Sequence, residues 1–217
     1  MKSFAIIGIG NFGRSVATTL CKLGHEVLAM DISEDRVRDI ADHVTAAVQI
    51  NVTDERAMRQ VGIRNFDCVI ISVGEDIRAS ILATVLCKEM GAKHVVAKAS
   101  DDMHAKILLK TGADSVVRPE HESGVRLARS LVSDSVIDYL DLSDEYSIHE
   151  MRIPRVWVDK SIMKIDVRRN YGISIIAIRR GGRIIVAIDP EQPLKADDIL
   201  VMIGSNKSLK KVESLGI

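Results

Sequence analysis

FAIIGIGNFGRSVATTLCKLGHEVLAMD, residues 4–31, decides the reading of the amino-terminal half. Residues 4–7 are an apolar run. Gly8, Gly10 and Gly13 follow, then an amphipathic helix pattern, then a second apolar run that stops at Asp31. This is the strand–helix–strand arrangement that binds an adenine nucleotide or dinucleotide. Gly8 permits the tight turn, Gly10 lets phosphate approach the backbone, and Gly13 lets the helix pack close to the strand. Asn11 and Phe12 lie in the same turn and belong to the same candidate site. Phosphate can sit on the N–H groups at the helix N-terminus, where the helix dipole favours negative charge. Asp31 is placed to accept hydrogen bonds from both ribose hydroxyls, and its charge argues against a 2′-phosphate. A bare GxGxxG is a weak signal, because glycines are common in turns. Here it follows a strand pattern, opens a helix, and has its acidic residue at the expected distance.

Composition narrows the function classes. The chain has 217 residues, which suits one medium domain plus a small one. With 47% hydrophobic and 28% charged residues, a sizeable core can form and disorder is not expected. The 30 basic and 30 acidic residues cancel, so no broad basic field is offered to nucleic acid. Aromatic residues make up 3%, which leaves few platforms for stacking single strands. No apolar stretch approaches the roughly 20 residues of a membrane span. The first residues already read as strand, so no signal peptide is expected before the fold. Cys21, Cys68 and Cys87 form no CxxC pair and read as reduced core thiols of a cytosolic protein.

Strands and helices alternate up to about residue 134. EVLAMD (26–31), TAAVQI (45–50), DCVIISV (67–73), HVVAKA (94–99) and DSVVRPE (114–120) read as strands. Helices are expected over about 34–41, from a cap at Thr53 or Asp54 through Gln60, and over 76–90, 102–111 and 120–133. The helix over 76–90 is expected to turn Ile77, Ile81, Leu82 and Val85 to the core. Such alternation means a parallel sheet with helices on both faces.

The pattern then changes. SDSVIDYLDLSDEYS (133–147) is acidic and polar and reads as a connector. IHEMRI (148–153) is strand-like. ISIIAIRRGGRIIVAI (173–188) is a hairpin turning at Gly181-Gly182, and ILVMIG (199–204) is a further strand, ending in a turn before a short helix. Pro190 and Pro193 mark a loop. The expected architecture is α/β: a Rossmann-like parallel-sheet domain over 1–134, followed by a small α+β domain over 140–217. The second domain is near the lower limit for an independent core and gains by pairing with a copy of itself.

At this point the residues carry a resemblance. FAIIGIGNFG opens the chain, LAMD closes the second strand, and NVTDE follows the third. SVGEDIRAS follows the fourth, VVAKA is the fifth, RPEHESG starts the sixth helix, and LDLSDEYSIHEM with the RRNYGISIIAIRRGG hairpin completes the order. Together they resemble the KtrA/TrkA-like RCK (regulator of potassium conductance) gating subunits of bacterial potassium uptake systems, with TrkA-N plus TrkA-C domains. The likeness covers nearly the whole chain.

The resemblance implies ATP or ADP in the cleft of the first domain, with NAD(H) in some members. It implies a dimer and an octameric ring under a membrane-embedded potassium-translocating Ktr or Trk subunit, hence a cytoplasmic protein held at the inner face of the membrane through its partner. Position by position, it assigns Gly8, Gly10, Gly13 and Asp31 to the nucleotide, and Lys98 to a basic residue beside it. Glu120 matches a carboxylate that helps hold a divalent cation, Mg or Ca, next to the γ-phosphate. Many members have Arg where this chain has Asn11. Asn cannot supply that charge, and Arg14 is the expected partial replacement. Asn51 ends the third strand near the expected adenine. In the second domain the RCK_C likeness implies cyclic di-AMP between two copies, at Ile162, Arg168, Arg169, Asn170, Ile175 and Pro190. Arginine suits bidentate phosphate contacts and aliphatic side chains can sandwich adenine.

Other chemistries fit less well. An NAD-dependent oxidoreductase, or an NAD(H)-sensing regulator, is permitted by the fold. No Tyr-x-x-x-Lys is present, however: Tyr139 is followed by Leu-Asp-Leu-Ser and Tyr146 by Ser-Ile-His-Glu. A redox-sensing repressor would need a helix-turn-helix module and a basic face. His121-Glu122 lacks the second histidine of a zinc helix. The expected activity is ligand-controlled gating with no catalytic residue.

Overall fold

Strand β1 (Ser3–Ile7) is buried over its last three residues, so it reads as a continuous apolar run instead of an alternating one. In the computed structural model, which describes residues 1–74, 76–132 and 136–216, β1 lies inside a parallel sheet. Its neighbours are β2 (Glu26–Asp31), β3 (Ala46–Gln49), β4 (Cys68–Ile71), β5 (Val95–Lys98) and β6 (Ser115–Val117). The order across the sheet is β3-β2-β1-β4-β5-β6, with every pairing parallel. Helices α1 (Asn11–Lys22) and α2 (Glu34–Ile40) cover one face, packing Ala17 and Ile40 on Ile6, Val27 and Ile70. Helices α3 (Glu55–Val61), α4 (Ile77–Glu89) and α5 (Asp102–Lys110) cover the other, with Met58, Cys87 and Leu108 on Ile7, Val69 and Ile71. The alternation of Ile6 and Ile7 between the two cores is the period-two geometry of a strand.

The strand order reverses between β1 and β4. In such sheets a crevice opens there, beyond the carboxyl ends of the strands. The parallel pairing and the Rossmann-like class agree with the sequence reading.

One expectation about packing is corrected. Helix α4 buries Ser80, Ala83, Thr84, Leu86 and Cys87, whereas Ile77 and Leu82 are exposed, Leu82 by 41%. The buried face is made mostly of small side chains with Leu86, and Ile77 and Leu82 lie to the outside. Of the four residues expected to face the core, Ile81 packs against it and Val85 is half-buried, while Ile77 and Leu82 do not face it.

The chain divides into two compact units, Met1–His121 and Glu122–Ile217. Helix α6 (Pro119–Val132) begins in the first and continues in the second. The expected end of this helix at Ser133, and the first residues of the expected connector, 133–135, lie outside the described residues.

The second unit is built on an antiparallel sheet. Its strands are β7 (Val136–Asp141), β8 (Tyr146–Arg152), β9 (Ile173–Arg180), β10 (Arg183–Ile185) and β11 (Ile199–Ser205), in the order β10-β9-β11-β8-β7. The β9–β10 hairpin turns at Gly181-Gly182 as the sequence suggests, pairing Arg183 with Arg180. Two short helices, α7 (Ile162–Ile165) and α8 (Val167–Tyr171), precede β9, and α9 (Asn206–Glu213) follows β11. Trp157, Met151, Leu200, Met202, Leu209 and Val212 form the core. Asp198 is buried beside Arg180, and the two make a bidentate pair at 2.7 Å on each arm.

Two readings change here. Residues 136–141 form strand β7, not connector. Val136 and Tyr139 pack inward, Asp138 and Asp141 lie outward, and a bulge between Val136 and Asp138 breaks the alternation that would have marked a strand. Edge strands commonly carry such charges and bulges. There is also no separate turn before α9: Ser205 ends β11 and its hydroxyl caps the helix on Ser208 N–H at 3.1 Å.

Candidate functional site

A cleft of about 790 Å³ opens at the reversal of strand order. The turn after β1 supplies Gly8, Gly10, Asn11 and Phe12. The end of β2 supplies Asp31 and Ile32, and α2 supplies Arg36. Ile50 to Thr53 come from the end of β3, Ser72 to Gly74 from the end of β4, and Lys98, Ser100 and Glu120 from the β5 and β6 side.

The three glycines have different physical duties. Gly8 has φ +91°, and a Cβ there would stand 3.0 Å from the backbone of Ser72 and Val73. Gly13 is internal: its Cβ would lie 2.0 Å from the Gly8 carbonyl oxygen and 2.4 Å from Ser72 Oγ. It does not line the cleft; it lets α1 sit against β1 and β4. At Gly10 a Cβ would meet nothing within 4 Å. The missing side chain there keeps room on the cleft side of the turn.

The start of α1 is unlike the starts of its neighbours. Ser33, Asp54, Asp76, Asp101 and Ser205 cap α2, α3, α4, α5 and α9 with side-chain oxygens. Gly10 caps α1 with none, and the first turn of α1 holds no acidic residue. The helical ladder begins with Arg14 N–H on Gly10 O at 2.9 Å, so the amides of Asn11, Phe12 and Gly13 precede it. Uncapped first-turn amides at a positive dipole end suit an oxyanion.

Asp31 is only 4% exposed. Its Oδ2 accepts from Ile9 N–H at 2.6 Å and its Oδ1 from Ser33 N–H at 2.9 Å. The Arg36 guanidinium stands 3.5 Å from Oδ2. The carboxylate therefore ties the glycine turn to the start of α2. A carboxylate pair of oxygens offers about four lone-pair sites, so capacity remains for ribose hydroxyls. Asn51 lines the cleft, and its Oδ1 is engaged with Thr53 N–H at 3.0 Å and Thr53 Oγ at 2.7 Å, which leaves its amide nitrogen for a ligand.

Lys98 and Glu120, assigned separately from sequence, form an ion pair with each other. The Lys98 hydrogen bond holds the Glu120 carboxyl below its ordinary range. Among the described residues no three His, Cys, Asp or Glu side chains converge on a metal site. Arg14 does not line the cleft. It faces α2, donating to the Asp39 carbonyl at 3.3 Å, and so is not placed to replace an arginine at position 11.

Sequence reasoning missed Ile32, Arg36, Ile50, Val52, Thr53, Ser72, Val73, Gly74, Asp76, Ala79 and Ser100 as lining residues. Ser72 Oγ donates to the Gly8 carbonyl and so braces the turn. The signal for Ser72 to Gly74 was topological: once β4 neighbours β1, its end must lie beside Gly8. The thiols are not part of this cleft. Burial pushes Cys87 up to about 12. Burial, aided by Asp114, pushes Cys68 up to about 11.

In the second unit a hollow of about 570 Å³ is lined by Ile162, Met163, Asp166, Val167, Arg168, Ile175, Ile188 and Pro190. Four of the six residues expected there are thus brought together. Arg169 and Asn170 are not among them. The Asn170 amide donates to the Ile165 carbonyl at 2.7 Å, a bond that holds α7 to α8. Arg168 Nε donates to Ser174 Oγ at 3.2 Å.

Known proteins share this organisation. The TrkA-N domain matches residues 4–119 and the TrkA-C domain residues 148–215. The chain is 43% identical over 216 residues to Ktr system potassium uptake protein A of Bacillus subtilis (strain 168), covering 100% of this chain and 97% of that protein. It is 42% identical over 212 residues to Ktr system potassium uptake protein C of the same organism, covering 98% and 96%. In three dimensions it resembles the GsuK channel with a TM-score of 0.71 at 18% identity, a likeness of fold. That match covers 99% of this chain but spans 39% of the longer GsuK chain.

Proposed function

The chain belongs to the family of proteins built from a TrkA-N and a TrkA-C domain, and on that premise we propose that it is the cytoplasmic regulatory subunit of a Ktr-type potassium uptake system. The observation that carries this reading is a likeness running through both domains to relatives named for potassium uptake. No helix among the described residues is long and apolar enough to cross a membrane. The protein then acts on a membrane-embedded potassium-translocating partner, peripherally and from the inner face, and performs no chemical step.

In this reading the first domain, residues 1–134, binds ATP or ADP. The phosphates meet Gly10 and the amides of Asn11 and Phe12, and the ribose meets Asp31. The adenine lies by Asn51, and Lys98 faces the phosphate end. A divalent cation, Mg or Ca, joins Glu120 to the terminal phosphate. The uncapped start of α1 and the open space at Gly10 support the phosphate assignment. The second domain, residues 140–217, pairs copies into dimers that close into an octameric ring, and takes cyclic di-AMP at the hollow of Ile162, Arg168, Ile175 and Pro190.

Control follows from differential binding. A ligand shifts a two-shape equilibrium only by its difference in affinity for the two shapes. Couplings of about 1–3 kcal/mol per site are typical, and several sites in one ring sharpen the response.

The test is reconstitution with a Ktr membrane subunit in potassium-loaded vesicles. Flux should depend on the added protein and differ between ATP and ADP. Flux that ignores both overturns the proposal. A parallel binding panel of ATP, ADP, NADH, NADPH and cyclic di-AMP separates the readings: NADH binding with substrate turnover would replace gating with an oxidoreductase.

A further inference from the structure

Among the described residues lining the cleft, Arg36 and Lys98 are the two cations, and each stands beside a carboxylate. Arg36 is at the ribose end, against Asp31. Lys98 is at the other end. A Cβ on Gly74 would lie 3.3 Å from its Nζ, and a Cβ on Gly8 would lie 3.0 Å from Val73 N. The ammonium therefore rests against the segment after β4, which in turn rests against the glycine turn. The Lys98 side chain is 15% exposed, while that of its partner Glu120 is 69% exposed. The cation is seated in the cleft wall and the carboxylate reaches it from the rim.

We propose that Glu120 is an internal stand-in for phosphate: it neutralises Lys98 when no nucleotide is bound, and an adenosine polyphosphate must displace it to bind. This rests on the nucleotide reading of the cleft and adds a rule of selectivity to it. A ligand without a phosphate chain has nothing to exchange for the carboxylate and leaves the pair intact. A di- or triphosphate carries more charge than one carboxylate and takes the lysine. Displacement also sets an order of events. Glu120 can turn to a cation only after phosphate has released it from Lys98, so cation binding follows phosphate binding. Release is easy, because an exposed ion pair contributes no more than about fivefold to an equilibrium.

The experiment is calorimetric titration of the whole protein with adenosine, AMP, ADP and ATP, in EDTA so that no divalent ion takes part. The proteins are the wild type, Glu120→Gln, Lys98→Gln and the double variant. Glu120 is a rim residue, and its substitution leaves the core intact. Glu120→Gln should bind ADP and ATP about three- to fivefold more tightly, with adenosine unchanged. Lys98→Gln should weaken ADP and ATP, and adding Glu120→Gln to it should gain nothing. Unchanged or weaker ADP binding by Glu120→Gln, or a gain that survives without Lys98, overturns the inference while leaving the nucleotide site standing. If neither the wild type nor Glu120→Gln binds any adenosine phosphate, the nucleotide reading falls, and this inference with it.

Discussion

Asp31 Oδ2 accepts a hydrogen bond from the backbone N–H of Ile9 at 2.6 Å, joining two turns that lie 22 residues apart in sequence. The same carboxylate holds Ser33 N–H at 2.9 Å. A residue expected only to hold a ribose also fastens the glycine turn to the start of α2. Asp31→Ala should therefore fail twice. Orphaning two backbone donors lowers the unfolding free energy by about 2–3 kcal/mol, and nucleotide affinity falls by a similar amount. Thermal melts and calorimetry on the same preparation check both. Loss of affinity with unchanged stability would leave Asp31 a ribose ligand alone.

Gly10 and Gly13 should separate binding from folding. Gly13→Ala forces a Cβ to within 2.0 Å of the Gly8 carbonyl oxygen, and overpacking of this kind costs about 1–3 kcal/mol or prevents folding. Gly10→Ala meets no protein atom within 4 Å and should cost no more than about 1 kcal/mol, the preference of a helix cap for Gly over Ala. Its ADP affinity should nevertheless drop by about tenfold, or 1.4 kcal/mol. Circular dichroism melts and ADP titration distinguish the two.

His104 makes the first unit sensitive to acid. Its Nδ1 accepts from Ser100 N–H at 3.2 Å, while its Nε2 is buried with no hydrogen-bond partner among the described residues. Burial lowers its pKa below the ordinary 6.5, and the nearby Asp101 carboxylate opposes this in part. Between the lowered native pKa and 6.5 the unfolded chain binds more protons than the folded one. The contribution of His104 is thus complete above pH 6.5 and is lost as the pH falls from there towards its native pKa. Melting temperatures measured from about pH 7.5 down to about pH 5 should decline less in His104→Gln than in the wild type. Parallel declines would remove His104 from the effect.

The hollow of the second unit divides two neighbouring arginines. Arg168 lines it and Arg169 does not. Arg168→Ala should weaken cyclic di-AMP binding by about 1.5–3 kcal/mol, the worth of hydrogen bonds to a charged group, and Arg169→Ala should leave it intact. Asn170→Ala loses the bond to the Ile165 carbonyl and should lower stability by about 1 kcal/mol. Isothermal titration with the dinucleotide, read beside thermal melts, tests all three. Equal losses at Arg168 and Arg169 would place the ligand elsewhere.

The first domain was legible because its signals are local. Three glycines and an acidic residue at fixed spacing prescribe a turn, a helix start and a strand end, and each lies within one strand–helix–strand unit. What stayed hidden depends on neighbours distant in sequence. Besides Leu86, the packed face of α4 is made of Ser80, Ala83, Thr84 and Cys87, which hydrophobicity ranks below the exposed Ile77 and Leu82. Close approach to a sheet outweighs side-chain transfer energy there, and no pattern within the helix reports it. Strand β7 was masked by its own edge position, where Asp138 and Asp141 and a bulge replace alternation. Arg14 was expected to turn to the cleft because it is one turn from Asn11, but it faces Asp39 of α2 and does not line the cleft. Lys98 and Glu120 were each picked out, yet their pairing appears only when β5 and the start of α6 are seen together.

The bare start of α1 has one more consequence. Among the described residues, α2, α3, α4, α5, α7 and α9 each bring a side-chain oxygen to their own first turn, whereas α1 has to borrow one. Whatever anion it borrows becomes part of the scaffold, and at a hundred times its dissociation constant adds about 2.7 kcal/mol to the unfolding free energy. Resistance to heat and to proteases thus becomes a gauge of how full the cleft is, and copies that sense nothing are also the first to be lost.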